Sequence, residues 1–289
     1  MNGVGRILAP IETALAAVEE TIASRDKPEL AVLAGGKRLR PALLLFAARS
    51  PVGNPGIERD AVLLAATVEM VHTASLIHDD VIDESNVRRK GAALHKIIGT
   101  RAAIILADYL FVQGLALLES VGRTGLVPEV VREVRTMCEG QWLELRVAAG
   151  TTCTERQYHE IVEKKTAALF AFCCRAGGRL RRADDAELTA LDEFGRDFGF
   201  AFQLLDDARD TAWTEPAGGP GLNCIERMIA RRGGPRYLRR TALGFARRAR
   251  AAARRITDPV ARRGMTGLLT FVTDPDADTG ATKARRPRN

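Results

Sequence analysis

Three shortages narrow the fold before any motif is considered. Aromatic residues make up 5% of the 289-residue chain although hydrophobic residues make up 46%. The apolar content therefore rests on Ala and Leu, which suit a large helical core. Proline is scarce between Pro55 and Pro128 and absent from Thr151 up to Pro216, so long helices run unbroken there. Alternating runs of β-branched and aromatic residues are few, which leaves little to build strands from. The expectation is an all-α fold, with one helical domain over residues 1–273 and a disordered basic tail over 274–289.

Cysteine is also short of partners. Cys138, Cys153, Cys173, Cys174 and Cys224 form no CxxC pair. Their odd number and the adjacent Cys173-Cys174 argue against a disulfide framework or a zinc site. Met1 to Glu20 is amphipathic and carries acids, unlike a secretory leader. No uninterrupted run reaches the roughly 18 apolar residues of a membrane span. A cytoplasmic, reducing setting is expected. The net charge of +7 collects in arginine pairs towards the C-terminus, among them Arg239-Arg240, Arg247-Arg248 and Arg254-Arg255. They recur beside Ala and Leu at helical spacing, which reads as a solvated basic helix face and not as a nucleic-acid site.

What the chain does carry is two aspartate clusters of one spacing, Asp79-Asp80-Val81-Ile82-Asp83 and Asp206-Asp207-Ala208-Arg209-Asp210. Each ends an apolar helical stretch, Val62 to Ile77 and Phe194 to Leu205. Residues i and i+4 of a helix share a face, so each cluster aims two carboxylates one way with a third beside them. Clustered like charges next to apolar surface call for a cation. Magnesium, bound through a few carboxylates and substrate phosphate oxygens, fits that need. Two such clusters facing one another would form a cage for magnesium and a diphosphate.

Cations for the diphosphate stand near helix boundaries. Gly35-Gly36-Lys37-Arg38-Leu39-Arg40-Pro41 joins two glycines to a basic turn before a helix expected over Ala42 to Ala48. There Lys37 offers a point charge and Arg40 a forked donor. Arg88-Arg89 follows the first cluster, and Lys164-Lys165-Thr166 precedes an apolar helix expected over Ala167 to Cys174. Gln203, one turn before Asp207, can bond a phosphate oxygen or order the acid. His72 lies two turns before Asp79, on nearly the same face, and His78 adjoins the cluster; His95 and His159 read as core histidines.

These residues resemble the trans-isoprenyl diphosphate synthases, the head-to-tail prenyltransferases. The match runs through Gly36-Lys37-Arg38-Leu39-Arg40-Pro41, Glu69 to Ser85, Arg88-Arg89, Lys165-Thr166-Ala167 and Phe202-Gln203-Leu204-Leu205-Asp206-Asp207, in the family's order. The resemblance implies a helical bundle around a central cavity, usually a homodimer. It implies that Asp79, Asp80, Asp83, Asp206, Asp207 and Asp210 hold Mg²⁺ on an allylic prenyl diphosphate. Arg88, Lys165 and Gln203 would contact that diphosphate, Lys37, Arg40, His72 and Arg89 would bind isopentenyl diphosphate, and Thr166 would sit beside the reacting centre. No Ser/His/Asp arrangement is present and none is needed. Small residues before the first aspartate, here Ala74-Ser75, accompany medium or long products in the family.

The pattern fails after Asp210. Relatives continue with a glycine- and lysine-rich loop and a further helix, whereas this chain passes from Thr211–Cys224 almost directly to Arg231-Arg232-Gly233-Gly234-Pro235. A helix-sized piece and its lysines are missing, and Arg231 and Arg232 are candidate replacements. Lys90 also stands where relatives have glycine. Three readings stay open on the sequence: chain elongation, cyclisation of a ready-made prenyl diphosphate, and a weakly active subunit of a heteromeric synthase.

Overall fold

The computed structural model describes residues 3–23, 36–49, 53–88, 91–122, 125–209 and 223–274. Among these, the helices in chain order are α1 (Gly3–Leu8), α2 (Glu12–Ala23), α3 (Leu39–Ala48), α4 (Pro55–Ile82), α5 (Leu94–Ile98), α6 (Thr100–Glu119) and α7 (Leu126–Ala148). They continue with α8 (Glu155–Val162), α9 (Ala168–Leu180), α10 (Asp185–Asp207), α11 (Cys224–Arg231), α12 (Pro235–Ala253) and α13 (Pro259–Thr273). The sheet content among the described residues is one antiparallel ladder of two-residue strands, β1 (Val87–Arg88) with β2 (Gly91–Ala92). The all-α expectation holds. Beyond Asp274 the expected tail lies outside the described residues.

The chain forms two compact units, here the N-terminal unit (Ile11–Arg135 with Cys173–Asp184) and the C-terminal unit (Met1–Pro10, Thr136–Phe172 and Asp185–Asn289). Within the N-terminal unit α4 is the central helix. The Asn54 side chain starts it by accepting from the backbone N–H groups of Gly56 and Ile57 at 3.0 and 3.2 Å, with Pro55 at the first helical position. Leu64, Ala65, Val68 and Val71 carry its buried face. Thr67 links it to α6 by donating to the Gly114 carbonyl at 3.1 Å. Helix α3 begins at Leu39, three residues before the expected start at Ala42. Arg40 and Pro41 thus occupy its first turn, where the missing N–H of proline costs no intrahelical bond.

In the C-terminal unit, α10 lies against the segment between α8 and α9. That segment is a π-helical turn, Glu163–Ala167. Lys164, Lys165 and Thr166 therefore stand inside a continuous helical stretch and do not precede a helix starting at Ala167, as the sequence suggested. Two glycines of α10 make the approach possible. A Cβ at Gly195 would fall 2.5 Å from the Phe170 carbonyl oxygen, and one at Gly199 would fall 2.6 Å from Ala167 Cα. Phe170 packs between Phe198 and Phe202, with ring centroids 5.1 and 5.7 Å away. Reciprocal side-chain caps begin α8 (Thr154 with Gln157) and α11 (Asn223 with Glu226).

Helices α4 and α6 are long and apolar enough, by length and composition, to cross a membrane. The sequence reading counted unbroken apolar runs and missed this, because both helices tolerate scattered polar residues within an apolar average. The apolar stretch of α4 is 61% buried inside the protein, as befits a core helix.

The close contact at Gly199 yields a prediction. Gly199→Ala forces Ala167 and its turn to move and should lower the unfolding free energy by about 1–3 kcal/mol in urea denaturation. A change below about 0.5 kcal/mol would show that the turn yields without strain.

Candidate active site

Both aspartate clusters sit at the C-terminal ends of helices. Asp79 and Asp80 lie in the last turn of α4, and Asp83 caps it, its N–H donating to the Asp79 carbonyl at 2.8 Å. Asp206 and Asp207 are the last two residues of α10; Asp210 lies outside the described residues. A helix C-terminus already carries partial negative charge, so each cluster adds carboxylates where the backbone itself repels them. In each cluster the second acid is more buried than the first: Asp80 is 6% exposed beside the half-buried Asp79, and Asp207 is half-buried beside the exposed Asp206.

In the C-terminal unit Asp207 ends a chain of side-chain hydrogen bonds. Thr166 Oγ1 donates to Gln203 Oε1 at 2.9 Å, and Gln203 Nε2 donates to Asp207 Oδ1 at 2.8 Å. The Tyr158 hydroxyl donates to Asp207 Oδ2. Burial pushes the Asp207 carboxyl up to about 6; the bonds from Tyr158 and Gln203 oppose this, and repulsion from Asp206 and Glu144 adds to it. Burial, and then the Asp207 charge, push the Tyr158 hydroxyl far above its ordinary range. It therefore stays a donor. Lys165 Nζ donates to Glu144. Gly140 makes room for this arrangement, since a Cβ there would lie 2.8 Å from Lys164 Cβ and 2.9 Å from the Lys165 nitrogen.

A second group stands in the N-terminal unit. Arg40, 8% exposed, donates its Nη1–H to His72 Nε2 at 2.9 Å. Burial pulls its guanidinium below the ordinary arginine value, which the nearby Cys173 and Glu69 partly offset. Arg38 adopts a left-handed backbone (φ 45°) and pairs with Glu69 and Glu19. Glu69, 6% exposed, thus anchors the basic turn that carries the exposed Lys37. Ser75 donates to the His72 carbonyl at 2.7 Å, and His78 Nε2 lies 3.3 Å from Asp108 Oδ1. Arg88 belongs to β1; Arg89, Lys90 and residues 211–222 lie outside the described residues.

The donor sets fit magnesium. They are hard carboxylate oxygens, with Asp79 and Asp83 one turn apart on one face and Asp206 exposed on the other helix. Among the described residues no three acids, histidines or cysteines are gathered to hold a metal alone. An ion held by carboxylates together with phosphate oxygens does not require such a group.

The sequence reading overlooked four partners: Glu144, Tyr158, Arg38 and Glu69. Glu144 follows Gly140 by one helical turn, and Tyr158 precedes Lys165 by two, so helical spacing carried a faint signal for both. Arg232, considered as a substitute for the missing lysines, pairs with Glu155 at 2.6 Å.

Comparison with known proteins identifies the family and the fold. The Polyprenyl synthetase family model matches residues 27–220. The chain is 38% identical to a short chain isoprenyl diphosphate synthase of Methanothermobacter thermautotrophicus, over 65% of this chain and 58% of that one. It is 35% identical to an octaprenyl diphosphate synthase of Escherichia coli, over 62% of this chain and 54% of that one. It thus spans little more than half the length of these curated relatives. A decaprenyl diphosphate synthase structure from Rhodobacter capsulatus superposes with a TM-score of 0.82 at 27% identity, covering 93% of this chain and 98% of that one. A Caulobacter crescentus polyprenyl synthase complexed with calcium and isoprenyl diphosphate superposes at 0.78, also at 27% identity, covering 93% and 97%. The fold is the all-α isoprenoid synthase fold. The chain belongs to the polyprenyl synthetase family.

The raised carboxyl of Asp207 sets a pH dependence. Its folded-state pKa lies above its ordinary 3.8, at about 6, so between these values the folded protein binds more protons than the unfolded chain. In metal-free solution stability should therefore fall as pH rises from about 3.8 to about 6. Denaturation of the Asp207→Asn variant should lack that component; an unchanged profile would contradict the assignment.

Proposed function

We propose that this protein condenses isopentenyl diphosphate with an allylic prenyl diphosphate, giving a medium- or long-chain all-trans polyprenyl diphosphate. The observation that carries the reading is the placement of both aspartate clusters at the negative ends of α4 and α10. Family membership and the names of the relatives support the class of reaction. The first assigned event is ionisation of the allylic C–O bond, which places charge on departing diphosphate. The isopentenyl double bond then attacks the cation, and a proton is lost. Asp79, Asp80, Asp83, Asp206, Asp207 and Asp210 would hold magnesium, which would supply positive charge to the departing diphosphate.

The remaining work falls to side chains. Lys165, released from Glu144, and Arg88 donate to the allylic diphosphate. Gln203 bridges Thr166 to Asp207 and fixes both near the reacting carbon. Lys37, Arg40, His72 and Arg89 take the isopentenyl diphosphate, with Arg40 held in place by His72. These fixed charges act most strongly where water is excluded.

Ala74 and Ser75, one turn before the first aspartates, leave space for a growing chain and support products above about four isoprene units. A homodimer is proposed on the exposed apolar side chains of α6, Ile105 (67%) and Val112 (59%), which a second copy would cover. A reducing, cytoplasmic setting is proposed on the odd number of cysteines and the adjacent Cys173-Cys174.

The test is product mass from farnesyl diphosphate and magnesium, with and without isopentenyl diphosphate. Longer diphosphates appearing only with the second substrate are expected. Hydrocarbons formed without it would point to a cyclase, and products stopping at geranylgeranyl would refute the chain length. Asp79→Ala should lower kcat about 10²–10³-fold, read by steady-state kinetics. Ile105→Glu should yield monomers in light scattering if α6 forms the dimer contact.

A further inference from the structure

We propose that the outward face of α12 docks on an anionic lipid surface. Between Arg231 and Arg255 the chain contains arginines but no lysine, aspartate or glutamate. On a helix of 3.6 residues per turn, Arg236, Arg239, Arg240, Arg247, Arg250 and Arg254 fall within an arc of roughly 100° and a length of about 27 Å. All six are exposed. The opposite face buries Leu238, Ala242, Ala249 and Ala253.

The flank between these faces behaves differently. There Arg248 pairs with Asp197 at 2.7 Å and Arg255 pairs with Glu193. Arg250 on the stripe donates to the Thr270 hydroxyl at 3.1 Å. Among the described residues, Arg236, Arg239, Arg240, Arg247 and Arg254 form no ion pair. Like charges at i,i+3 and i,i+4 repel one another. Solvated surfaces usually mix both signs, whereas this stripe has one sign, which suits it to an anionic surface.

Two observations favour a lipid surface over another polyanion. The stripe carries no amide, hydroxyl or aromatic side chain that could read or stack on a base. In its middle stands Leu243, 47% exposed, an apolar side chain suited to the headgroup boundary of a bilayer. Arginines near an anionic leaflet each add to binding. The choice also rests on the proposed prenyl transfer, whose product is an amphiphile that partitions into bilayers.

The experiment is co-sedimentation of the full chain with vesicles of phosphatidylcholine alone and of phosphatidylcholine with phosphatidylglycerol, at low and high salt. Salt-sensitive binding confined to the phosphatidylglycerol vesicles is expected, and the double variant Arg240→Glu, Arg247→Glu should weaken it at least about tenfold. Circular dichroism should show that variant folded, and its turnover with farnesyl and isopentenyl diphosphates in vesicle-free solution should be unchanged. Equal binding to both vesicles, no binding, or displacement from phosphatidylglycerol vesicles by duplex DNA would overturn the proposal. Absence of turnover in the vesicle-free assay would count against the prenyl-transfer reading and leave the vesicle result to be judged by itself.

Discussion

Carboxylates placed at helix C-termini are the constraint around which this molecule is organised. The backbone dipole of α4 and of α10 is negative at the end where each aspartate cluster stands. Neither position suits local stability. Asp207 shows the consequence, since burial holds its carboxyl near 6 despite two hydrogen bonds that favour ionisation. Under the proposed function a divalent cation would offset this cost, and hard carboxylate oxygens suit a hard ion.

Much of the surrounding structure serves to hold a few side chains in register. The π-helical turn at Glu163–Ala167 adds a residue to the helix and re-aims Lys165 and Thr166. Gly140 on one side and Gly199 on the other let neighbouring helices close on that turn. The contact brings Thr166 against Gln203, and Gln203 in turn orients Asp207. In the N-terminal unit the buried Glu69 does comparable work, pinning Arg38 and so fixing the turn between Lys37 and Arg40. Backbone packing thus reaches the candidate site residues through one or two hydrogen bonds.

The sequence showed the helical class and both aspartate clusters plainly, because repeated spacing and apolar periodicity are local properties. It also suggested that Gln203 could bond a phosphate oxygen or order the neighbouring acid, and Gln203 does donate to Asp207. It did not show the π-helical turn. Lys164-Lys165-Thr166 has ordinary helical composition, and the close approach of Gly140 and Gly199 to that turn comes from other helices. Glu144 and Tyr158 stayed hidden for the same reason, being partners across helices and not along one. The start of α3 was placed late because Pro41 reads as a boundary, although proline is tolerated in a first turn.

The most direct measurement of the central claim is the thermal midpoint with Mg²⁺ alone, inorganic diphosphate alone, and both together. If carboxylates at two helix ends await a cation that phosphate oxygens help to hold, the pair should stabilise the fold well beyond the sum of the separate effects. Full stabilisation by diphosphate in the presence of a chelator would contradict the account.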